Sequence, residues 1–388
     1  MKVAILGAGP AGLYAAYLLK RNGIADDIRI VEQNASDATF GFGVVFSDRA
    51  LEFLREDDAE THALISSVLE HWRDITITHK GEIIRLDGVG FSAVGRLHLL
   101  ELLQGRVREL GIEPEYEKVV HDLSELGEYD LLIGSDGVNS LVRRSEDFGF
   151  KQELLDNRFV WYGTRQRFDT LTQTFRETAD GHFTAHHYRY SPDMSTFIVE
   201  VDEETFFRAG FDAMSDDRAK SYLESVFAPE LGGHEFVTNK SVWRQFPRIS
   251  NERWSSGNKV LVGDALRTAH FSIGSGTRLA LEDVIALIKA LKASPDDIPG
   301  ALKSYEAARR PIVDKLVRAA NASADWYENF ADHMELEPWE FALSYIMRSG
   351  RLDFHRLRQI APQFAEEVQR RGLLADASQS RRGGTIEH

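Results

Sequence analysis

Four short, almost unbroken apolar runs, at residues 2–6, 28–31, 129–134 and 259–262, read as strands buried on both faces, the pattern of a parallel sheet covered by helices. The first passes through Gly7-Ala8-Gly9-Pro10-Ala11-Gly12 into the helical pattern of residues 13–20. The last passes through Gly263-Asp264 and the pair Gly274 and Gly276 into another helix. Further along, the pattern changes: apolar and polar positions alternate over 158–165, 182–190, 194–201 and 240–246, with turn signals such as Ser191-Pro192-Asp193 between them, so an antiparallel sheet is expected. Residues 75–86 predict a hairpin turning at His79-Lys80-Gly81. From Ala301 onward the pattern is helical, with a kink or restart at Arg309-Arg310-Pro311.

The strand, turn and helix at the N-terminus carry the spacing G-x-G-x-x-G. Its glycines let the backbone approach a pyrophosphate, and the helix start offers free N–H groups and a positive dipole end. Gly7, Gly9, Pro10, Ala11 and Gly12 are therefore candidate dinucleotide contacts. Glu32, followed by Gln33, closes the second strand, where a carboxylate accepts from ribose hydroxyls. Asp136 with Gly137, and Asp264, likewise sit at strand ends, where open α/β sheets bind ligands.

Those three separated segments, in order, resemble the single-component (group A) FAD-dependent aromatic hydroxylases, the para-hydroxybenzoate hydroxylase class. Residues 136–143, DGVNSLVR, are similar to the family's DG motif, and Gly263-Asp264 to its GD motif. The resemblance implies an α/β fold: a Rossmann-type FAD-binding domain, an antiparallel β-sheet substrate domain roofing the flavin, and C-terminal helices. The FAD-binding domain is expected over 1–71, 96–155 and 251–330, the sheet domain over 72–95 and 156–250, and the helical region over 331–374, with a disordered polar tail at 375–388. It further implies that Asp264 holds a sugar hydroxyl of FAD, that Gly274, Ser275, Gly276 and Thr277 present amides to the flavin ring, and that Arg96 lies near the cofactor, with Gln104 two turns on. The chain departs from the common pattern at Leu266-Arg267 and at Phe271-Ser272, which stands where a proline is expected. The segment HFSIGSGT, with stretches at 39–47, 157–163, 195–200 and 347–351, is similar to the branch acting on aromatic acyl-CoA thioesters, the salicylyl-CoA 5-hydroxylases and the monooxygenase half of 2-aminobenzoyl-CoA monooxygenase/reductases. No reductase-type barrel follows, which is expected of the stand-alone salicylyl-CoA enzymes.

By this resemblance NADH or NADPH reduces FAD, O2 then gives a flavin C4a-hydroperoxide, and the ring of salicylyl-CoA is hydroxylated para to its phenol to give gentisyl-CoA. Alternatives are 2-aminobenzoyl-CoA, a free aromatic such as salicylate or an indole, and a non-catalytic binding protein of the same fold. An NAD-dependent dehydrogenase would share the first glycine motif but has no use for the other two. Phenol deprotonation calls for a base titrating in the working range, and His270 in the GD loop is the candidate. Of His186 and His187 only one can face a ligand, since adjacent strand residues point to opposite faces. Phe46, Arg158, Arg165, His186, Glu200 and Arg244 are the candidate substrate contacts, the arginines for CoA phosphates, with Arg167, Arg176 and Arg248 as further choices.

Composition narrows this further. The chain has 388 residues and a formal net charge of −15, which opposes general nucleic-acid binding and requires any anionic ligand to find a local cationic cluster. It has no cysteine, which excludes disulfides, thiolate metal sites and a thiol nucleophile and suits the cytoplasm. No apolar run reaches bilayer length, and no His/Asp/Glu spacing suggests a metal. The expected partner is a small-molecule aromatic CoA thioester, without nucleic acid or membrane, taken up by a monomer or homodimer.

Overall fold

The computed structural model describes residues 1–47 and 51–373, so the polar tail lies outside the described residues. Four parallel strands, Lys259–Leu261, Leu131–Gly134, Lys2–Leu6 and Asp27–Val31, form the first sheet in that order, with Ser255–Ser256 antiparallel at one edge. Helices Pro10–Arg21, Arg96–Glu109 and Gly276–Ala293 cover it, and one apolar core runs through all of them. Because every strand is covered on both faces, the runs that build it are apolar without alternation.

The second sheet has eight strands and is antiparallel except where Leu171–Thr178 pairs with Ile75–His79 in parallel. Its central members are Phe150–Thr164, Ser195–Val201 and Gly181–Arg189. One face packs on helices Glu203–Arg208 and Asp216–Val226 over Phe183, Phe197 and Val199. Its outer hairpin, Ile75–His79 and Glu82–Leu86, packs on the C-terminal helices Pro338–Met347 and Pro362–Arg370. The hairpin turn lies at Lys80 (φ 48°) and Gly81 (φ 78°), as its residues require. Phe91–Gly95 joins Gly43–Ser47 and Glu70–Trp72 in a separate three-stranded sheet.

The restart expected as one alternative at Pro311 does not occur, and Ile298–Glu328 is one helix of 31 residues with Pro311 inside it. Pro311 removes one backbone donor, but the turn before it is anchored from the side. Arg309 is buried and reaches Asp283 (3.1 Å) and Glu282 (2.8 Å), and Val313 is buried beyond it. Asp283, wholly buried in helix Gly276–Ala293, also receives Arg267 of the GD loop at 2.7 Å. The arginine that departs from the family pattern is thus one arm of a buried ion network. Replacing Asp283 by Asn leaves the buried Arg267 guanidinium without its anion and Arg309 with Glu282 alone, and breaking such a network costs about 3–5 kcal/mol. Urea unfolding of D283N should show a loss of that size, whereas stability equal to the parent would remove the network as the anchor of this region.

Candidate active site

Two long helices begin at one cleft without side-chain caps. Pro10–Arg21 starts after Gly9 and Gly276–Ala293 after Ser275, and neither N-cap side chain bonds a helix N–H. Uncapped N–H groups need an acceptor from elsewhere. The glycines show which parts of the cleft are full. A Cβ on Gly12 would collide with the Gly7 carbonyl, so Gly12 is fixed by chain packing, whereas a Cβ on Gly9 or Gly276 would meet only open space. The cleft side of both helix starts is therefore shaped for an acceptor-rich ligand, as an FAD pyrophosphate and flavin ring are.

The remaining cofactor candidates divide into two groups. Asp264 is open to the cleft and faces Arg96; enclosure raises its carboxyl pKa, while Arg96 and Arg267 oppose that rise. The Arg96 guanidinium is lowered by the same desolvation and makes no hydrogen bond among the described residues. Ser275 Oγ is buried without a partner, with Thr277 half-buried beside it. Others are engaged by the protein. Glu32 accepts from the N–H groups of Ala8 and Asn34, both at 2.9 Å, and so closes the glycine turn. Asp136, next to Gly137, accepts from Ser140 Oγ (2.5 Å) and Leu141 N (2.6 Å), capping its own loop. Gln104 donates to the Ser36 carbonyl, and Gln33 is exposed.

The large sheet presents one face to the GD loop. Across it, register aligns Gln173, His186, Ile198 and Trp161 in one row, and Thr184, Glu200, Phe159 and Arg244 in the next. Directly paired residues share a face, as do residues two apart, so all eight side chains stand on this side. Phe271 of the GD loop meets them: its ring lies 4.2 Å from His270, 4.9 Å from Phe159, 5.3 Å from His186 and 5.9 Å from Phe246. His187 points the other way, stacked on Phe197 at 4.7 Å.

The titration of this cluster differs from the expectation for His270. Burial, with His186 and the Arg248 and Arg348 charges nearby, pushes its pKa down to about 3, outside the working range expected of a base. The Ser272 N–H and hydroxyl engage Nδ1 at 3.3 and 2.8 Å; the amide can only donate, which assigns the ring proton to Nε2. His270 therefore offers a neutral Nε2–H donor. Ser272 is held by Ser323 (2.8 Å) and by Arg348, which bonds both Ser323 and the Ser272 carbonyl. Burial likewise pushes His186 to about 3.

Glu200 moves in the opposite direction. Burial raises its carboxyl to about 8, with Glu328 adding to the rise and the hydrogen bond from Asn157 (2.9 Å) opposing it. Its Oε2 is buried without a partner. Asn157 also donates to the Tyr327 carbonyl, and the Tyr327 hydroxyl donates to Gln173 at 3.1 Å. Asn157, Tyr327, Gln173, Arg348 and Phe159 were not singled out from the sequence. Asn157, Phe159 and Arg348 lie in stretches similar to the acyl-CoA branch, but strand register and helix docking are what bring them to one place.

Other candidates lie elsewhere. Phe46 is fully buried in the core, and Arg158 turns to the opposite face, over Phe206 and 3.2 Å from Glu203. Arg165 is exposed, 4.0 Å from Asp193; Arg176 is paired with Glu230 and Arg248 with Glu153 and Asp325. Arg167 is exposed. Among the described residues no acidic or histidine cluster could hold a metal, and no helix is long and apolar enough to cross a membrane.

Two outcomes follow. Gly9→Ala should leave the apoprotein's thermal midpoint unchanged and weaken FAD binding, read by flavin fluorescence, while Gly12→Ala should lower both; equal midpoints for the two variants would contradict the packing. The Glu200 carboxyl holds a proton up to about 8 when folded and releases it near 4.5 when unfolded. Its proton-linked stabilisation is complete below that lower value and is lost as pH rises between the two. Glu200→Gln, which stays neutral, should therefore gain thermal midpoint relative to the parent across that window, on the order of 3–5 kcal/mol in total. Parallel curves would show that Glu200 is not raised.

The sequence profile of the FAD binding domain family matches residues 1–93 and 108–320. The chain is 41% identical to a salicyloyl-CoA 5-hydroxylase of Streptomyces sp, over 90% of this chain and 70% of that one. It is 36% identical to a 3-hydroxy-4-methyl-anthranilyl-[aryl-carrier protein] 5-monooxygenase of Streptosporangium sibiricum, over 86% and 90%. Its fold is shared with 2-methyl-3-hydroxypyridine-5-carboxylic acid oxygenase at a TM-score of 0.71 and 18% identity, covering 90% of this chain and 95% of that one. Uncapped helix starts, the open space beside Gly9 and Gly276 and these matches agree: the chain belongs to the FAD binding domain family, as a single-component FAD-dependent aromatic monooxygenase of the para-hydroxybenzoate hydroxylase fold, with NAD(P)H the family's usual electron donor.

Proposed function

We propose that this monooxygenase hydroxylates an aromatic ring carried as a CoA thioester, converting salicylyl-CoA to gentisyl-CoA. The observation that carries this reading is the 41% identity to a salicyloyl-CoA 5-hydroxylase over 90% of the chain. The site chemistry supports it. FAD, reduced by a nicotinamide donor and met by O2, supplies an electrophilic oxygen, one atom going to the ring and the other to water.

The chain's own residues prepare the ring. Carbon 5 of a salicylyl group is para to the phenol, so loss of the phenolic proton raises electron density where oxygen must arrive. Glu200, with a free Oε2 and a pKa of about 8, is the acceptor placed for that proton. The Nε2–H of His270 stabilises the phenolate oxygen by donation, with Ser272, Ser323 and Arg348 fixing the imidazole. The rings of Phe159, Phe246 and Phe271 supply an apolar bed that excludes water from the reacting centre.

Two measurements test this. FAD-loaded protein given NADH and O2 should form gentisyl-CoA from salicylyl-CoA and little product from free salicylate; turnover of free salicylate alone, or of neither, would sink the substrate. His270→Asn should slow hydroxylation roughly 10²-fold with flavin reduction near the parent rate, the size expected for one preorganised donor. Equal slowing of both steps would remove the donor role.

A further inference from the structure

The row that carries Glu200 does not end inside the pocket. It runs outward from Thr184 and Glu200 through half-buried Phe159 to Arg244, on the strand at the sheet's edge. There the side chains change character. Phe40, 41% exposed, has the Arg244 guanidinium 5.5 Å and the Lys240 ammonium 4.6 Å from its ring. Among the described residues neither cation pairs with a carboxylate, in a chain whose net charge is −15 and where most other arginines are paired. Among the described residues Lys240 is one of three non-glycine residues with a left-handed backbone, φ 52°. Its neighbour Asn239 donates to the carbonyls of Thr39 and Gly41, tying the loop of Phe40 to that of Lys240. An exposed aromatic ring, with two cations over it that have no carboxylate partner, is tied in place by the Asn239 side chain.

Beside it opens a cleft of about 660 Å³ bounded by Thr39, Gly41, Phe42, Arg96, Tyr190 and Asn239. Inward, Phe159 reaches Phe271, and Phe271 reaches His270 and His186. From Arg244 to Glu200 is two strand spacings, roughly 10 Å across the sheet.

We infer that Phe40, Lys240 and Arg244 form an outer subsite for a phosphorylated adenosine, the adenine stacking on the Phe40 ring and the phosphates taken by the two cations, and that this subsite holds the CoA end of the thioester while its aryl end lies on Phe159 and Phe271. The row provides the track between the ends, a span that a pantetheine arm bridges. The inference rests on the acyl-CoA reading above. A nicotinamide donor also carries adenosine phosphates, but the alignment of Arg244 with Glu200 along one row assigns the subsite to the ligand whose other end enters the substrate pocket.

The test compares FAD-loaded parent with K240E/R244E and F40A, all at exposed positions, in steady-state turnover of salicylyl-CoA, of the N-acetylcysteamine thioester of salicylate, which lacks the adenosine and phosphates, and with NADH varied. The parent should favour the CoA thioester. In K240E/R244E the KM for salicylyl-CoA should rise about tenfold or more, the loss expected for two charge-assisted phosphate contacts. Its kcat/KM for the truncated thioester and its KM for NADH should stay at the parent values, and F40A should fall between. A parent that favours the CoA thioester with a variant that keeps the preference overturns the subsite and leaves the acyl-CoA reading standing. A rise in the NADH KM without one for the thioester overturns it by giving the cations to the donor. A parent with no preference for the CoA thioester overturns both readings together.

Discussion

Asp283 is the point on which the two halves of the site converge. Its carboxylate, wholly buried, takes Arg267 from the GD loop and Arg309 from the long helix, while its own helix begins at the uncapped N–H groups that face the cleft. The GD loop carries Asp264 toward the cofactor cleft and His270 and Phe271 toward the sheet. The same long helix carries Ser323 and Tyr327 to the substrate side. One buried anion therefore fixes the GD loop against the long helix, the two elements that carry the groups proposed for cofactor and substrate. A buried ion network of this kind adds little net stability over an apolar core, but it is costly to break at one partner, which suits a joint that must keep one geometry.

Low dielectric is the second organising constraint, and it sorts the titratable groups by charge type. The histidines, charged when protonated, are driven down to about 3, and the carboxyl, charged when deprotonated, is driven up to about 8. Within one water-poor cluster the imidazoles thus stay neutral while a carboxyl titrates near working pH. This reverses the assignment that residue type alone suggests, since histidine is the group whose ordinary pKa lies closest to neutrality. The reversal is set by enclosure, with the phenylalanine rings around Phe271 as its source.

This also separates what the chain made legible from what it did not. The parallel sheet and its glycine turn were readable because apolar runs and G-x-G-x-x-G report directly on burial and on backbone approach. The sheet that faces the loop was readable as alternation, and so was the opposition of His186 to His187. The network at Asp283 was not: Arg267 and Arg309 are far apart in sequence, and only helix packing joins them. The helix runs on through Pro311 for the same reason, because the side anchoring of Arg309 outweighs one missing backbone donor. Residues chosen by type alone fared least well. Arg158 and Phe46 have suitable chemistry, but strand parity turns the first to the far face and core packing buries the second.

Charge completes the picture. In a chain of net charge −15 the mean field repels a polyanion, so uncompensated cations matter more than their number suggests. Several other arginines are paired internally, with Glu230, Glu153, Asp325, Glu203 and Asp283. Arg96 at the cofactor cleft and the Lys240 and Arg244 pair at the sheet edge are free of such partners among the described residues. Arg96 lines the cleft of about 660 Å³ whose wall includes Asn239, the neighbour of Lys240, and clefts with low-dielectric walls focus the field of the few charges that line them. An acidic protein that must admit phosphate-bearing ligands has reason to leave cations unpaired where those ligands enter.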